Sequence, residues 1–190
     1  MRQRTDTKRA QRPSQRPAPR PIDAQRLGEL ALSYVARFAT SAAKLDTYLR
    51  RKLRERGWEG EGDPPIRAVV ERMVELGYLD DAVYARSKTG SLLRRGFGAR
   101  RISQELGAAG IAEDVRESVR AEPSEQRRAA LAFATKRRIG PFGPPPADRA
   151  AREKQMGAML RAGHPLDSAR ELVNAASVEA AEQWAAEGDF

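Results

Sequence analysis

Apolar residues recur along most of the chain at helical spacing. Leu27, Leu30, Ala31, Tyr34, Val35 and Phe38 fall at i, i+3, i+4, i+7, i+8 and i+11, a single stripe that predicts a first helix. Ser41 is placed to cap a second helix, with Leu45, Tyr48, Leu49 and Leu53 inward. Gly57 supplies the left-handed residue that ends it, and Trp58 can fold back on its last turn. Pro65 opens a third helix with Ile66, Val69, Val70, Met73 and Val74 facing the core, stopped at Gly77. Asp80 or Asp81 caps a fourth, with Tyr84 and Leu92 inward. The bend Gly96-Phe97-Gly98 leads into a fifth carrying Ile102, Leu106 and Ala109, closed by Gly110. A short sixth helix holds Val115 and Val119, and Pro123-Ser124 opens a seventh with Ala130, Phe133 and Ala134. After the interruption Gly140 to Pro146, an eighth helix is marked by Met156, Met159 and Leu160 and a ninth by Ala169, Leu172 and Val173. No stretch alternates with period two long enough to make a strand, so the fold class is all-α.

Order appears in where these helices stop. The second, fifth and eighth end at Gly57, Gly110 and Gly163, each 53 residues from the next. Three three-helix units follow, each too small to bury much surface alone, so neighbours must stack. The expected architecture is a tandem array of three three-helix repeats, elongated and curved. Residues 1–22 form a disordered basic arm rich in proline, 23–79 the first repeat, 80–122 the second, 123–176 the third and 177–190 an acidic C-terminal tail that is either disordered or a helical extension.

Charge changes the picture next. The chain of 190 residues carries a net charge of +9, which points to an anionic partner or surface. Seven basic residues against one acid in the first 21 positions account for most of it, so the folded part is only mildly basic. Aromatic residues are 6%, which leaves a thin, mostly aliphatic core. Cysteine is absent, which excludes disulfides and thiolate metal sites. No apolar run approaches the roughly 20 residues of a membrane helix, and the basic start lacks an apolar signal segment. A cytoplasmic chain is expected.

Basic side chains are the candidate chemistry. Leu45, Leu49 and Leu53 occupy the inner stripe of the second helix, which turns Arg50, Arg51 and Arg54 outward, as solvated residues or partner contacts. Arg86, Lys88, Arg94, Arg95, Arg100 and Arg101 surround the glycine bend with no acid between Arg86 and Arg101, and should concentrate positive charge on one edge. Guanidinium forks suit carboxylates and phosphates alike, so charge says only that the partner is anionic. Phe97 is either a buried turn anchor or a ring that stacks on a partner.

Catalytic chemistry finds little support. His164 is the only histidine; it sits at a helix end, where a helix-terminal cation or partly exposed ring is expected. Asp80 and Asp81 are explained by capping. Gly96 and Gly98 lack the following Gly-Lys-Ser/Thr of a phosphate loop, and no ligand spacing for a metal is present. Neither an enzyme nor a cofactor site is expected.

The residues from Ala31 to Ile111 resemble the RecX family of bacterial regulators of the RecA recombinase. Leu49-Arg50-Arg51-Lys52-Leu53 before Gly57-Trp58, and Leu76-Gly77-Tyr78-Leu79-Asp80-Asp81 running into Tyr84-Ala85-Arg86, carry the likeness. Arg94-Arg95-Gly96, Arg101-Ile102 to Leu106, and the closing Gly110-Ile111 complete it. The resemblance spans roughly residues 27–175 and fades in the third unit, where Gly163-His164 replaces the family's Gly followed by an aromatic. It implies a monomeric binding protein that lies in the groove of RecA filaments on single-stranded DNA, limits their extension, and lowers ATP hydrolysis and strand exchange. Recombination, DNA repair and the SOS response are the setting it implies. Its arginines would meet RecA or single-stranded DNA. A DNA-binding regulator of helix-turn-helix type is the alternative, but its candidate recognition helix mixes Arg67 and Arg72 with Glu71 and Glu75.

Overall fold

The computed structural model describes residues 20–187, and the basic arm up to residue 19 lies outside them. Ten α-helices follow one another: α1 (Ala24–Val35), α2 (Ala42–Arg56), α3 (Ile66–Glu75), α4 (Asp81–Arg94), α5 (Ala99–Ala108), α6 (Glu113–Ser118), α7 (Pro123–Arg137), α8 (Arg149–Arg161), α9 (Leu166–Asn174) and α10 (Val178–Ala186). A 3-10 turn, Gly140–Phe142, fills the proline-rich interruption before α8. Side chains cap the starts that short polar residues mark: Ser41 accepts from the Lys44 N–H, Asp80 from Val83, and Asp148 from Ala151. Glu122 and Glu125 form a reciprocal capping box around Pro123 at the head of α7.

Three separate apolar clusters hold the chain. Leu27, Ala31, Leu45, Leu49, Ile66 and Met73 close the first over α1–α3. Ala85, Leu92, Ile102, Leu106 and Ile111 close the second over α4–α6. Ala130, Phe133, Met159, Leu172 and Val173 form the third over α7–α9. Half-buried Phe97 packs against both the second and the third, so the turn-anchor reading of this ring holds. The α4–α7 contact carries the chain from the second unit to the third.

The edges of the units differ from expectation in three places, and the acidic tail takes one of its two expected forms. Ile22, assigned above to the arm, is fully buried; its N–H donates to the Gly57 carbonyl at 3.0 Å, and its own carbonyl accepts from the Glu59 N–H at 3.0 Å. Phe38 lies beyond the end of α1 and is 56% exposed, its ring centroid 5.2 Å from that of Tyr34. Val74, in the last turn of α3, overhangs the core and is 48% exposed. The acidic tail packs as a helix: Ser177 caps α10, Ala181 and Ala185 are buried, and the Arg127 guanidinium lies 5.4 Å from the Trp184 ring. The third unit therefore contains four helices.

Each second helix abuts the start of the one before it. The end of α5 meets the head of α2, where the Ser41 hydroxyl donates to the Ala109 carbonyl at 2.5 Å. Asp81 accepts from the Ala42 N–H at 2.9 Å, so Asp80 caps its own helix and its neighbour caps α2. Lys44 donates to the Tyr84 hydroxyl at 2.6 Å. In the same way the end of α8 meets the head of α5, with the Gly98 N–H donating to the Ala162 carbonyl at 2.9 Å and the Arg100 N–H to the Gly163 carbonyl at 3.2 Å. At the α8–α5 junction carbonyls at one helix end thus satisfy backbone donors at the head of another, whereas the Ser41 and Asp81 side chains make the bonds at the α5–α2 junction. Gly57, Gly110 and Gly163 share positive φ values of 82°, 73° and 94°. A Cβ on Gly110 would also overlap Ala43, so both backbone and space demand glycine there.

His164 belongs to the second of these junctions and is not the helix-end cation expected. It is 4% exposed, with Nε2 3.0 Å from the Gly96 carbonyl oxygen and its ring centroid 5.6 Å from that of Phe133. A carbonyl only accepts, so Nε2 carries the proton and donates. Nδ1 is buried without a partner. Burial pushes the His164 pKa below its ordinary 6.5, opposed by the weaker pull of the Gly96 bond.

Two outcomes follow from the junctions. Gly110→Ala should cost about 1–3 kcal/mol in urea unfolding, whereas Gly28→Ala, in open space on α1, should gain roughly 0.5–1 kcal/mol. For His164 the unfolded chain takes up its proton first, so stability is full above the ordinary pKa and falls as pH drops through about 6.5 towards the depressed folded value. Subtracting the unfolding curves of His164→Gln from the parent between pH 8 and 5 (roughly the range in which histidine titrates) should isolate this loss. A pH-independent difference would refute it.

Candidate partner-binding surface

The outward face of α2 arises as its apolar stripe dictates, with Leu45 and Leu49 fully buried and Arg50, Arg51 and Arg54 turned to solvent. Arg50 forks onto Asp46 through contacts of 2.6 and 3.1 Å, a pairing that raises its pKa. Arg51 is 3.8 Å from Glu55, which Lys52 also holds at 2.7 Å. Those cations, Lys52 first, keep the Glu55 carboxyl below its usual range. Arg54 forms no ion pair among the described residues. Pairs this exposed contribute little to stability and are readily exchanged for a partner's charges.

The bend is built for packing. Gly96, at φ 84°, passes so close to α7 that a Cβ would sit 2.8 Å from the Phe133 nitrogen. A Cβ on Gly98 would collide with the Gly163–His164 peptide. Both glycines are explained by the approach of the third unit, which removes any need for a phosphate ligand.

Around that bend the charges are neither unneutralised nor on one edge. Glu105, four residues beyond Arg101, pairs with Arg101 at 2.7 Å and with Lys88 at 3.9 Å. Arg86 is exposed and without an ion pair among the described residues. The guanidinium of Arg95 lies 5.1 Å from the Phe97 ring centroid. Arg94 lines a cleft against α7 together with Glu125 and Arg128. Arg100 lines a second cleft of about 330 Å³, between α5 and α6, with Arg116, Arg120 and Glu117. Arg101 turns to a third, facing α8. Successive positions on a helix differ by about 100°, and the neighbours that supply the clefts come from α7, from α6, and from α7 with α8. Arg116 of the second cleft was not singled out from sequence; its Nε is buried without a partner and its Nη1 is 3.4 Å from the Ser103 hydroxyl.

Other chemistries gain nothing from the coordinates. On α3 the arginines of the candidate recognition helix are paired within the helix, Arg67 with Glu71 at 2.7 Å and Arg72 with Glu75 at 3.2 Å. Among the described residues no three His, Asp or Glu side chains group as metal ligands. No helix there is long and apolar enough to cross a membrane.

Comparison with known proteins identifies the family. Residues 80–119 match the family model for the second three-helix domain of RecX. Regulatory protein RecX of Myxococcus xanthus is 32% identical over 165 residues, covering 82% of this chain and 88% of its own length. That of Deinococcus radiodurans is 33% identical over 120 residues, 62% of this chain and 56% of the relative. Among solved structures, RecX from Lactobacillus salivarius superposes with a TM-score of 0.60 at 15% identity, covering 79% of this chain and 94% of that one. At that identity the superposition speaks for the fold. With one relative matched along nearly its whole length and the middle unit matched to the family's own domain, the chain belongs to the RecX family of regulatory proteins.

Proposed function

We propose that the protein is a negative regulator of RecA that acts by binding, with no reaction of its own. In this reading it is a cytosolic monomer that lies along RecA filaments on single-stranded DNA, limits their extension, and lowers ATPase and strand exchange. Family membership supplies the target. The observation that carries the mechanism is the tandem array of three small cores, with cations presented in successive clefts around the middle unit. A tandem array touches repeating partners over a long surface for its mass, and its charges can address several of them at once.

The contact residues are proposed on the same ground: Arg50, Arg51 and Arg54 on α2, Arg86 and Lys88 on α4, and Arg94, Arg95, Arg100 and Arg101 about the bend. Because these charges face several directions, each would contribute a modest share. Arg54 and Arg86, which carry no internal ion pair among the described residues, would exchange least on binding.

Stoichiometric protein added to RecA, ATP and single-stranded DNA should depress ATPase and strand exchange; undiminished rates would sink the reading. Replacing Arg94, Arg95, Arg100 and Arg101 together by Gln should weaken filament binding by about tenfold or more and flatten its salt dependence. A quadruple variant as inhibitory as the parent would reduce the bend to a solvated surface.

A further inference from the structure

The cleft that Arg101 faces takes most of its lining from the third unit. It holds about 470 Å³ between α5 and the bend on one side and α7 and α8 on the other. Arg137, Lys154 and Arg161 join Arg101 at its rim, and no carboxylate lines it. Among the described residues, Arg137, Lys154 and Arg161 form no ion pair. The floor is apolar, made by Phe97, Phe133, Ile139, Ala158 and Ala162. Gln155 stands at the edge, its carbonyl oxygen 3.2 Å from the Gly140 N–H, with its amide N–H groups as further donors.

We propose that this cleft binds an acidic protein segment that inserts one apolar side chain. Three cations without an ion pair among the described residues, joined by Arg101 whose guanidinium also holds Glu105, select a partner with several negative charges, and an apolar floor strengthens each pairing by excluding water. The floor then decides which anion. A nucleic-acid base needs an open aromatic face to stack on. Here the Arg137 guanidinium lies 5.8 Å from the Phe133 ring centroid and Phe133 is only 7% exposed, while Arg95 covers Phe97 at 5.1 Å. What remains is ring edges, Ile139 and alanine methyl groups, which suit a leucine or phenylalanine side chain inserted among them. A volume of this size accommodates such an anchor and the adjoining backbone. Forked guanidiniums then meet carboxylates on either side of the anchor.

Lining residues come from both sides of the junction between the second and third units. An occupant therefore bridges them and should stabilise the junction that His164 fills from within. This inference does not depend on RecA: it concerns the chemistry of the ligand, and its test contains no RecA.

The full chain would be titrated with a fluorescent peptide rich in Asp and Glu around a central Leu, with the same peptide carrying Gly in place of Leu, and with oligothymidylate of equal charge. Saturable, salt-sensitive binding of the Leu peptide is expected, with the Gly peptide at least about fivefold weaker. Lys154→Ala combined with Arg161→Ala should weaken the Leu peptide at least about tenfold. Both residues are exposed, so the melting curve of the free variant should match the parent. Arg50→Ala with Arg54→Ala, which removes the same charge elsewhere, should leave peptide binding within about twofold of the parent. The proposal is overturned by absent binding, by indifference to the central Leu, or by equal losses in the two variants. It is equally overturned if oligothymidylate binds more tightly and is the ligand lost on changing Lys154 and Arg161.

Discussion

The contact on which the molecule depends is the meeting of helix ends at each junction. A short helix leaves unpaired donors at its head and unpaired carbonyls at its tail, and cores of this size cannot bury such groups without partners. Here the tail of α5 is set against the head of α2, and the tail of α8 against the head of α5, so the unmet groups of one unit answer those of the next. Among the described residues no earlier helix closes the tail of α2. Ile22 does so instead, its N–H bonded to the Gly57 carbonyl and its side chain buried in the first core. A residue that composition places with the arm is thus the terminal cap of the array.

This arrangement dictates where charge appears. Clefts open where the second unit meets the third and, within the second, between α5 and α6, and long cations near the helix ends line them. Arg94, Arg100 and Arg101 are near neighbours in sequence yet open onto three clefts, because different elements pack beside each. The positive potential is therefore divided into sites with different companions: an acid and a second cation at one, a half-buried Arg116 with Glu117 and Arg120 at the next, an apolar floor at the third. Specificity at such a surface rests on what accompanies the cations more than on their number.

The helices, their caps and the 53-residue recurrence were legible in the sequence because each has a local cause. Periodicity marks the buried stripe, Ser41 and Asp80 mark starts, and Gly57, Gly110 and Gly163 mark left-handed stops. What was not legible depends on distance in sequence. Nothing local reveals that Asp81 caps α2, 39 residues earlier, or that His164 bonds to Gly96 across 68 residues. Glu105 was visible four positions after Arg101, and ordinary helical i,i+4 pairing would have found it, though not its reach to Lys88. The cations of α7 and α8 gave no signal, since they gather only when the third unit docks on the bend.

Docking of that unit makes stability and recognition one problem. Gly98 and Gly163 allow backbones to touch, His164 fills the remaining space as a neutral donor, and Phe97 shares its ring between two cores. Phe97 brings a large apolar ring to this junction, and close fit with a few hydrogen bonds, each worth about 1 kcal/mol net, holds the rest of it. A seam of that strength responds to anything that binds across it, because a ligand adds its full binding free energy to the joined form and little to the parted one. Binding in the cleft beside Arg101 and setting the angle between the second and third units are consequently the same event, seen from the ligand and from the fold.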